Sequence, residues 1–582
     1  MPEVRDTTEY RRICDLPRRK LNERDAAAWA AVLTKELRRP GSTAELRPWQ
    51  GFALAEAAAM GGALLGLGVG HGKTLLSWLL PAVLASLRSV LIIPAALREK
   101  TYADFAALQK DWPSRTPPVI VTREELSTEA GQKRLFDLDP DLIIIDECDE
   151  LANPDASATK RIDRFVVAKQ EAVRVVCMTG TLSRKSIMNY WHLLCWCLRD
   201  CAPVPLTRSE AKEWAQAIDE SKSRDGDARM GPGVLGSTSV SARAWYRSRL
   251  LESPGVVIVD GDSCQAPLTV RVVLADEDPR LDKAYRLFLK GDLANGRPPL
   301  ETNDGISVSD PLSRWRIDGQ YGCGLYLRWK RRPPKEWRRA YQAKNGFVRA
   351  KIDSTARSSR PCDTEMQVLR RYAQHPIVTE WMRVRDTFDP ETEAVWLSDS
   401  TIQSVRAWLA SSSAPGIVWT GCVEFARALS VATRLPYYGA QGKCAGGTGL
   451  HQANPRRSLI ASWYANKRGF NLQAWTRQLL VMPPQSAKYL EQIFGRSHRA
   501  GQEDHVRVDV LATSGGTLDA LEAAIREASF ARDTVGMTQK LLRSSVEWAT
   551  PKITDSNRFR WGRKTGAKRT ANIFARAFQN LP

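Results

Sequence analysis

Every second residue from Gly66 to Gly72 is glycine, and Lys73 and Thr74 follow directly. Glycines let a backbone curl until its N–H groups face an anion. A helix starting behind such a loop adds a partial positive charge. Here the loop follows an apolar run, Ala63-Leu64-Leu65, and precedes a helix-like run from Leu75 to Leu87. That is the strand, loop and helix order of a phosphate-binding loop. Gly70 and Gly72 would shape the turn, Lys73 would reach the β- and γ-phosphates of a nucleotide, and Thr74 would hold Mg²⁺. The full G-x-x-x-x-G-K-[ST] spacing asks for glycine at 67, where Leu67 stands. Alone, the stretch reads equally as a Gly-rich turn capping a strand.

A second group supplies carboxylates. Asp146-Glu147-Cys148-Asp149 closes the run Asp141-Leu142-Ile143-Ile144-Ile145. Mg²⁺ takes few protein carboxylates and keeps several waters, so one Asp at a strand end, Asp146, suits it. Glu147 is then placed to orient and deprotonate an attacking water. The alternative is an acidic turn after a buried strand. A Thr179-Gly180-Thr181 turn one strand later favours the chemical reading.

These groups need a scaffold, and the chain alternates accordingly. Leu46-Arg47-Pro48-Trp49-Gln50 opens a helix, with Pro48 at home in a first turn. Residues 89–94, 118–122, 141–146 and 174–179 are short apolar runs separated by helical stretches. This pattern predicts an α/β fold with a parallel sheet covered on both faces. Ligands then bind at the carboxyl ends of the strands, where the glycine loop, Asp146 and Thr179 fall. A second alternating unit starts near 396, with strands at 416–419, 458–463, 477–482 and 506–511.

The chain has 582 residues, 43% hydrophobic and 26% charged, as a soluble protein of several domains does. Its net charge of +20 fits a polyanion partner as well as a soluble surface. The N-terminus reads as free of a signal peptide. The segment 52–70 contains Glu56 and runs into the glycine loop, so it reads as helix and buried strand rather than a membrane span. The 11 cysteines are scattered, which suits a reducing compartment. His192, Cys195, Cys197 and Cys201 cluster without zinc-knuckle spacing and read as a buried helix.

Residues 206–245 read as a polar surface connection. Arg328-Trp329-Lys330-Arg331-Arg332 begins a segment, reaching Lys351, that interleaves cations with indoles. Arg328, Arg331 and Arg332 could neutralise phosphates and Trp329 could stack on bases. The same pattern suits a solvated helical protrusion whose tryptophans pack on the neighbouring lobe. The stretch after Pro551 is basic and punctuated by Phe559, Trp561, Phe574 and Phe578. It is a nucleic-acid contact or a solubilising tail.

Taken together, the motifs resemble the two-lobed ATPase core of superfamily 2 helicases, and most of all the Swi/Snf-type DNA translocases. Gly70-His71-Gly72-Lys73-Thr74 resembles motif I, which tolerates the missing glycine. Ile92-Ile93-Pro94 resembles motif Ia, and Thr122-Arg123-Glu124-Glu125 the next nucleic-acid motif. Asp146 to Asp149 is similar to motif II of the DExD type, and Met178 to Leu182 to motif III. Arg468-Gly469-Phe470-Asn471-Leu472 resembles motif V, and Gln492 to Arg499 fits Q-x-x-G-R-x-x-R, motif VI. Leu46 to Gln50 and His498-Arg499-Ala500-Gly501-Gln502 carry the Swi/Snf flavour. Departures are Leu67, His71 in place of an aliphatic residue and Leu182 in place of proline.

The resemblance implies an α/β P-loop NTPase with two RecA-like parallel-sheet lobes and a largely helical insertion between them. The expected division is an N-terminal segment (1–44), lobe 1 (45–205), linker and basic Trp-rich insertion (206–395), lobe 2 (396–540) and basic tail (541–582). ATP and Mg²⁺ would lie between the lobes, with Lys73, Thr74, Asp146 and Glu147 from lobe 1 and Gln50 near the adenine. Gln492 would join the nucleotide site, and Arg496 and Arg499 would stabilise charge on the transferring phosphoryl. Pro94, Thr122 and Gly469 would face nucleic acid. The implied protein is a monomeric, intracellular motor on DNA, duplex for preference, in a bacterium or bacteriophage-infected cell. An RNA helicase of the same superfamily and a non-hydrolysing, nucleotide-switched DNA-binding scaffold are the alternatives.

Overall fold

In a computed structural model of the chain, the two alternating stretches close into two parallel sheets. The structure describes residues 7–19, 23–68, 70–182, 185–219, 239–261, 264–276, 278–304, 308, 311–355, 362, 364–466 and 470–548. Val69, residues 221–227 and 231–233, Arg468, Gly469 and the basic tail beyond 548 lie outside the described residues.

The first sheet has six strands: β1 (Ala63–Leu67), β2 (Ser89–Ile93), β3 (Val119–Thr122), β4 (Leu142–Asp146), β5 (Arg174–Thr179) and β6 (Val256–Val259). Their spatial order is β3-β2-β4-β5-β1-β6, and every pairing is parallel. The continuous apolar runs have their cause here. β1 and β2 are buried along their whole length. Alternate residues feed two cores, Leu64 and Ile143 on one face, Leu65 and Ile144 on the other. A central parallel strand needs apolar residues on both faces.

The second sheet takes β7 (Leu268–Leu274) from well before the rest. An antiparallel pair, β8 (Leu325–Trp329) and β9 (Thr392–Trp396), belongs to the insertion. The second sheet continues with β10 (Gly416–Thr420), β11 (Tyr437–Tyr438), β12 (Leu459–Ser462), β13 (Arg477–Val481), β14 (Val506–Ala512) and β15 (Ser545–Trp548). Its order is β11-β12-β10-β13-β14-β7-β15, again parallel throughout.

The expected boundaries at 205, 396 and 540 therefore cut through both sheets. β6 and β7 come from the stretch read as linker and insertion, and β15 from the stretch read as tail. Nor is 206–245 a plain surface connection. Arg208–Ile218 is a helix that buries Ala211, Trp214, Ala215 and Ile218. Ser239–Leu251 is a second helix.

The 191–198 run is a helix with His192, Trp196 and Cys197 in the core. The His192 imidazole donates from Nε2 to the Leu151 carbonyl at 2.9 Å. Burial pulls its pKa down to about 4, so the ring is neutral.

One long helix, Gly515–Val535, ties the two halves together. Its Leu518 and Leu521 lie in the core of the second sheet, whereas Phe530, Ala531 and Val535 lie in that of the first. At 1.5 Å per residue its 21 residues span roughly 30 Å, enough to cross from one core to the other. Among the described residues no helix is long and apolar enough to cross a membrane.

Candidate active site

Because all strands of the first sheet are parallel, their carboxyl ends share one edge. The glycine loop leaves β1, the acidic turn leaves β4 and the Thr-Gly-Thr turn leaves β5 at that edge. β5 lies between β4 and β1.

The loop is held from below by the helix Pro48–Met60. Gln50 is buried there, donating from Nε2 to the His71 carbonyl (3.2 Å) and accepting from the Arg47 backbone N–H (2.9 Å). Trp49 meets the His71 ring edge-on at 5.3 Å. Gln50 thus supports the loop by hydrogen bonds to backbone. Gly72 sits in the left-handed region (φ 77°), and a Cβ there would lie 2.7 Å from Gln50 Nε2. Gly70 is left-handed too, at φ 88°. Both positions need glycine for backbone reasons. The helix Lys73–Val83 starts immediately behind. Lys73 curls over the loop and donates from Nζ to the Leu67 carbonyl at 3.1 Å. Thr74, half-buried, is in the first turn of the helix.

Asp146 ends β4. Its Oδ1 accepts the Glu147 N–H at 2.9 Å. Burial pushes its carboxyl up to about 6; Glu147 and Asp149 push the same way, and the Lys73 ammonium opposes them. A desolvated carboxylate at a strand end is the kind of oxygen ligand Mg²⁺ takes, and the Lys73 ammonium nearby is placed for phosphate rather than for the metal. Glu147 has left-handed backbone angles (φ 54°, ψ 45°), a conformation costing a non-glycine residue about 1–3 kcal/mol that clusters at functional sites. Among the described residues nothing donates to its carboxylate.

Asp149 plays a different part. Fully buried, it accepts from the hydroxyls of Thr179 (2.8 Å) and Thr181 (3.2 Å). It thereby ties the acidic turn to the Thr-Gly-Thr turn. It also pairs with Lys488, which comes from the second half of the chain. The same ammonium lies 2.7 Å from Glu150 Oε1, and Arg123 pairs with the other Glu150 oxygen.

Lys488 is on the helix Ala487–Ser497. With Gln492 and Arg496 it recurs every four residues, on one helix face, and all three are buried. That recurrence was visible in the sequence. The Gln492 Oε1 is buried without a donor among the described residues. Arg496 donates from Nε to the Gln492 carbonyl (3.1 Å) and from Nη1 to the Phe470 carbonyl (2.8 Å). Arg499 lies beyond the helix end and is half-buried. Burial lowers its pKa, and no acceptor for its guanidinium lies among the described residues. The two arginines thus stand in different surroundings.

A shallow cleft, open to solvent, runs along the loop flank formed by Gly68 and His71. Gly180, Glu491 and Gln539 also line it; Lys73, Thr74, Asp146 and Glu147 do not. Residues 537–543, which follow the long helix, form its far wall. They are pinned by Asp260, which accepts from the Thr538 N–H (2.7 Å), the Thr538 hydroxyl (3.0 Å) and Arg543 Nη2 (2.6 Å). No motif marked this segment.

The expected nucleic-acid residues divide. Pro94 and Thr122 are buried at the ends of β2 and β3, and the Thr122 hydroxyl caps the next turn by accepting from the Glu125 N–H (3.2 Å). Trp329 is no free platform. It packs edge-on against Phe388 at 5.5 Å and Trp337 at 6.5 Å, inside the insertion's own small core. Arg328 pairs with Glu393 at 2.6 Å. Arg331 and Arg332 are exposed. So are Arg338, Arg339 and Arg349 on the helix Lys335–Thr355, none with an ion-pair partner among the described residues.

No protein-family model matches the chain, and no curated protein matches it.

Proposed function

We propose that the chain is an ATP-dependent nucleic-acid motor, a DNA translocase or helicase with two RecA-like lobes. One observation carries this reading. A lysine-bearing glycine loop, an acidic turn carrying Glu147, whose carboxylate has no partner among the described residues, and a Thr-Gly-Thr turn share one sheet edge. The helix leading to Arg499 is docked on that edge by Lys488. A non-hydrolysing, nucleotide-switched scaffold would have little use for Glu147 and Arg499 in such a gathering.

Lys73 and the loop N–H groups bind the ATP phosphates. Thr74 and Asp146 would hold Mg²⁺, which when bound neutralises phosphate charge. Glu147 orients the attacking water and accepts its proton. Arg499 answers the charge that develops on the transferring phosphoryl. Since Arg499 follows the second sheet's helix, hydrolysis depends on how the two halves sit together, and nucleic acid drawn across both would control it. Turnover measured with single-stranded DNA, duplex, forked DNA and RNA tests the substrate. DNA, duplex above all, is expected to stimulate. Stimulation by RNA alone would overturn the DNA assignment.

Exposed arginines of the insertion supply phosphate contacts. Changing Arg338, Arg339 and Arg349 together to Gln is expected to weaken duplex binding. It should also flatten the dependence of log K on log salt by up to about 3, near 0.9 per lost contact. Fluorescence anisotropy across a salt series measures it, and an unchanged slope would remove this face from the DNA path.

A further inference from the structure

Four charges form a ladder across the contact between the two halves. Arg123, directly after β3, pairs with one oxygen of Glu150. The other Glu150 oxygen takes the Lys488 ammonium at 2.7 Å, and the same ammonium pairs with Asp149. Arg123 also pairs with its neighbour Glu124 at 2.7 Å, so two cations meet three carboxylates. The ladder's centre is dry: the side chains of Lys488 and Asp149 are 1% and 0% exposed.

Its construction is lopsided. On the first-sheet side each carboxylate has a second partner of its own, Arg123 for Glu150 and the hydroxyls of Thr179 and Thr181 for Asp149. Withdrawing Lys488 leaves neither carboxylate bare. Lys488 itself has no other carboxylate among the described residues. These second partners let the contact form and break without baring either carboxylate, which matters because an unpaired buried charge is costly. The ladder also connects three places. At one end is the β3 exit, beside Thr122. In the middle is the acidic turn, three residues from Asp146. At the other end is the helix face of Gln492 and Arg496, which leads to Arg499.

We propose that Lys488 is a positioning residue that couples nucleic-acid contact to ATP turnover, by docking the Gln492–Arg499 helix onto the acidic turn when the two halves close. This rests on the motor reading above. Lys488 acts through Asp149 and Glu150 and touches no reacting atom.

The test uses the full chain. Turnover number, KM for ATP and duplex affinity are measured for wild type, Lys488→Met, Lys488→Arg and Glu150→Gln. Lys488→Met is expected to lower the duplex-saturated turnover number about tenfold or more, with KM and duplex affinity changed less than about twofold. Lys488→Arg keeps the charge and should recover most of the loss. Glu150→Gln should reproduce part of it. A merely structural lysine would instead lower the melting temperature and all three quantities together. A folded Lys488→Met protein with wild-type stimulated turnover would overturn the proposal. If that variant does not fold, wild-type stimulation in Glu150→Gln overturns it equally. Absence of duplex-stimulated turnover in the wild type would overturn the motor reading and this coupling with it. Equal stimulation of wild type and both variants would overturn the coupling alone.

Discussion

Glu147→Gln is expected to cut nucleic-acid-stimulated ATP turnover by about 10²–10⁴-fold, the usual share of a general base. The exchange keeps size and shape and removes only the ability to take a proton. Three features of the site set the expectation. The residue directly follows the buried strand that ends in Asp146. Its left-handed backbone is held where a relaxed turn would not place it. Its carboxylate accepts nothing from the described residues, so it is available to a water. Asp146 makes the contrast: its Oδ1 is engaged by the Glu147 N–H and its carboxyl is pushed up to about 6 by burial. ATP and duplex binding should survive in the variant, since the loop, Lys73 and Thr74 are untouched. Single-turnover hydrolysis beside nucleotide binding separates the two. Wild-type turnover in Glu147→Gln would remove the water-activating role.

Arg499→Ala is expected to be at least as damaging, since an arginine answering phosphoryl charge can contribute about 10³–10⁵ in rate. Arg496 and Arg499 fit the same motif, yet their surroundings differ. Arg496 donates to two carbonyls, those of Gln492 and Phe470. Removing it strips partners from buried backbone and lowers stability along with activity. Arg499 is a partly desolvated cation with no acceptor among the described residues. Burying a charge without a partner is unfavourable, and an incoming anion reverses that. Arg499→Ala should therefore leave the melting temperature near wild type while turnover falls. Arg499→Lys should rescue little, because a point ammonium lacks the planar fork. Wild-type turnover in Arg499→Ala would break the assignment.

Much of this architecture was legible in the chain because parallel strands buried on both faces must be continuous apolar runs. Runs such as 89–93 and 174–179 announce themselves. The glycine loop was legible for a similar reason, since left-handed angles at Gly70 and Gly72 exclude most other residues. What local pattern does not carry is which sheet a strand joins. Val256–Val259 is apolar throughout and Leu268–Leu274 mostly so, yet between them the chain passes from the first sheet to the second. Partner choice is equally silent. The segment around Trp329 and Trp337 reads either as a nucleic-acid surface or as a protrusion packed on the neighbouring lobe, but the indoles found each other, Phe388 and Trp381. Lys488 could be placed on the face of Gln492 and Arg496 by spacing alone. That its ammonium reaches Asp149, more than three hundred residues earlier (488 − 149 = 339), is a fact of tertiary packing.

In the proposed motor, ATP hydrolysis at the first sheet's edge depends on nucleic acid drawn across both halves. Steady-state ATP hydrolysis by the full chain, with and without duplex DNA and at rising salt, tests it most directly. Expected are a low rate alone, a many-fold rise with duplex, and loss of that rise as salt displaces the phosphate contacts. A hydrolysis rate indifferent to nucleic acid, or ATP binding with no hydrolysis under any condition, would contradict it.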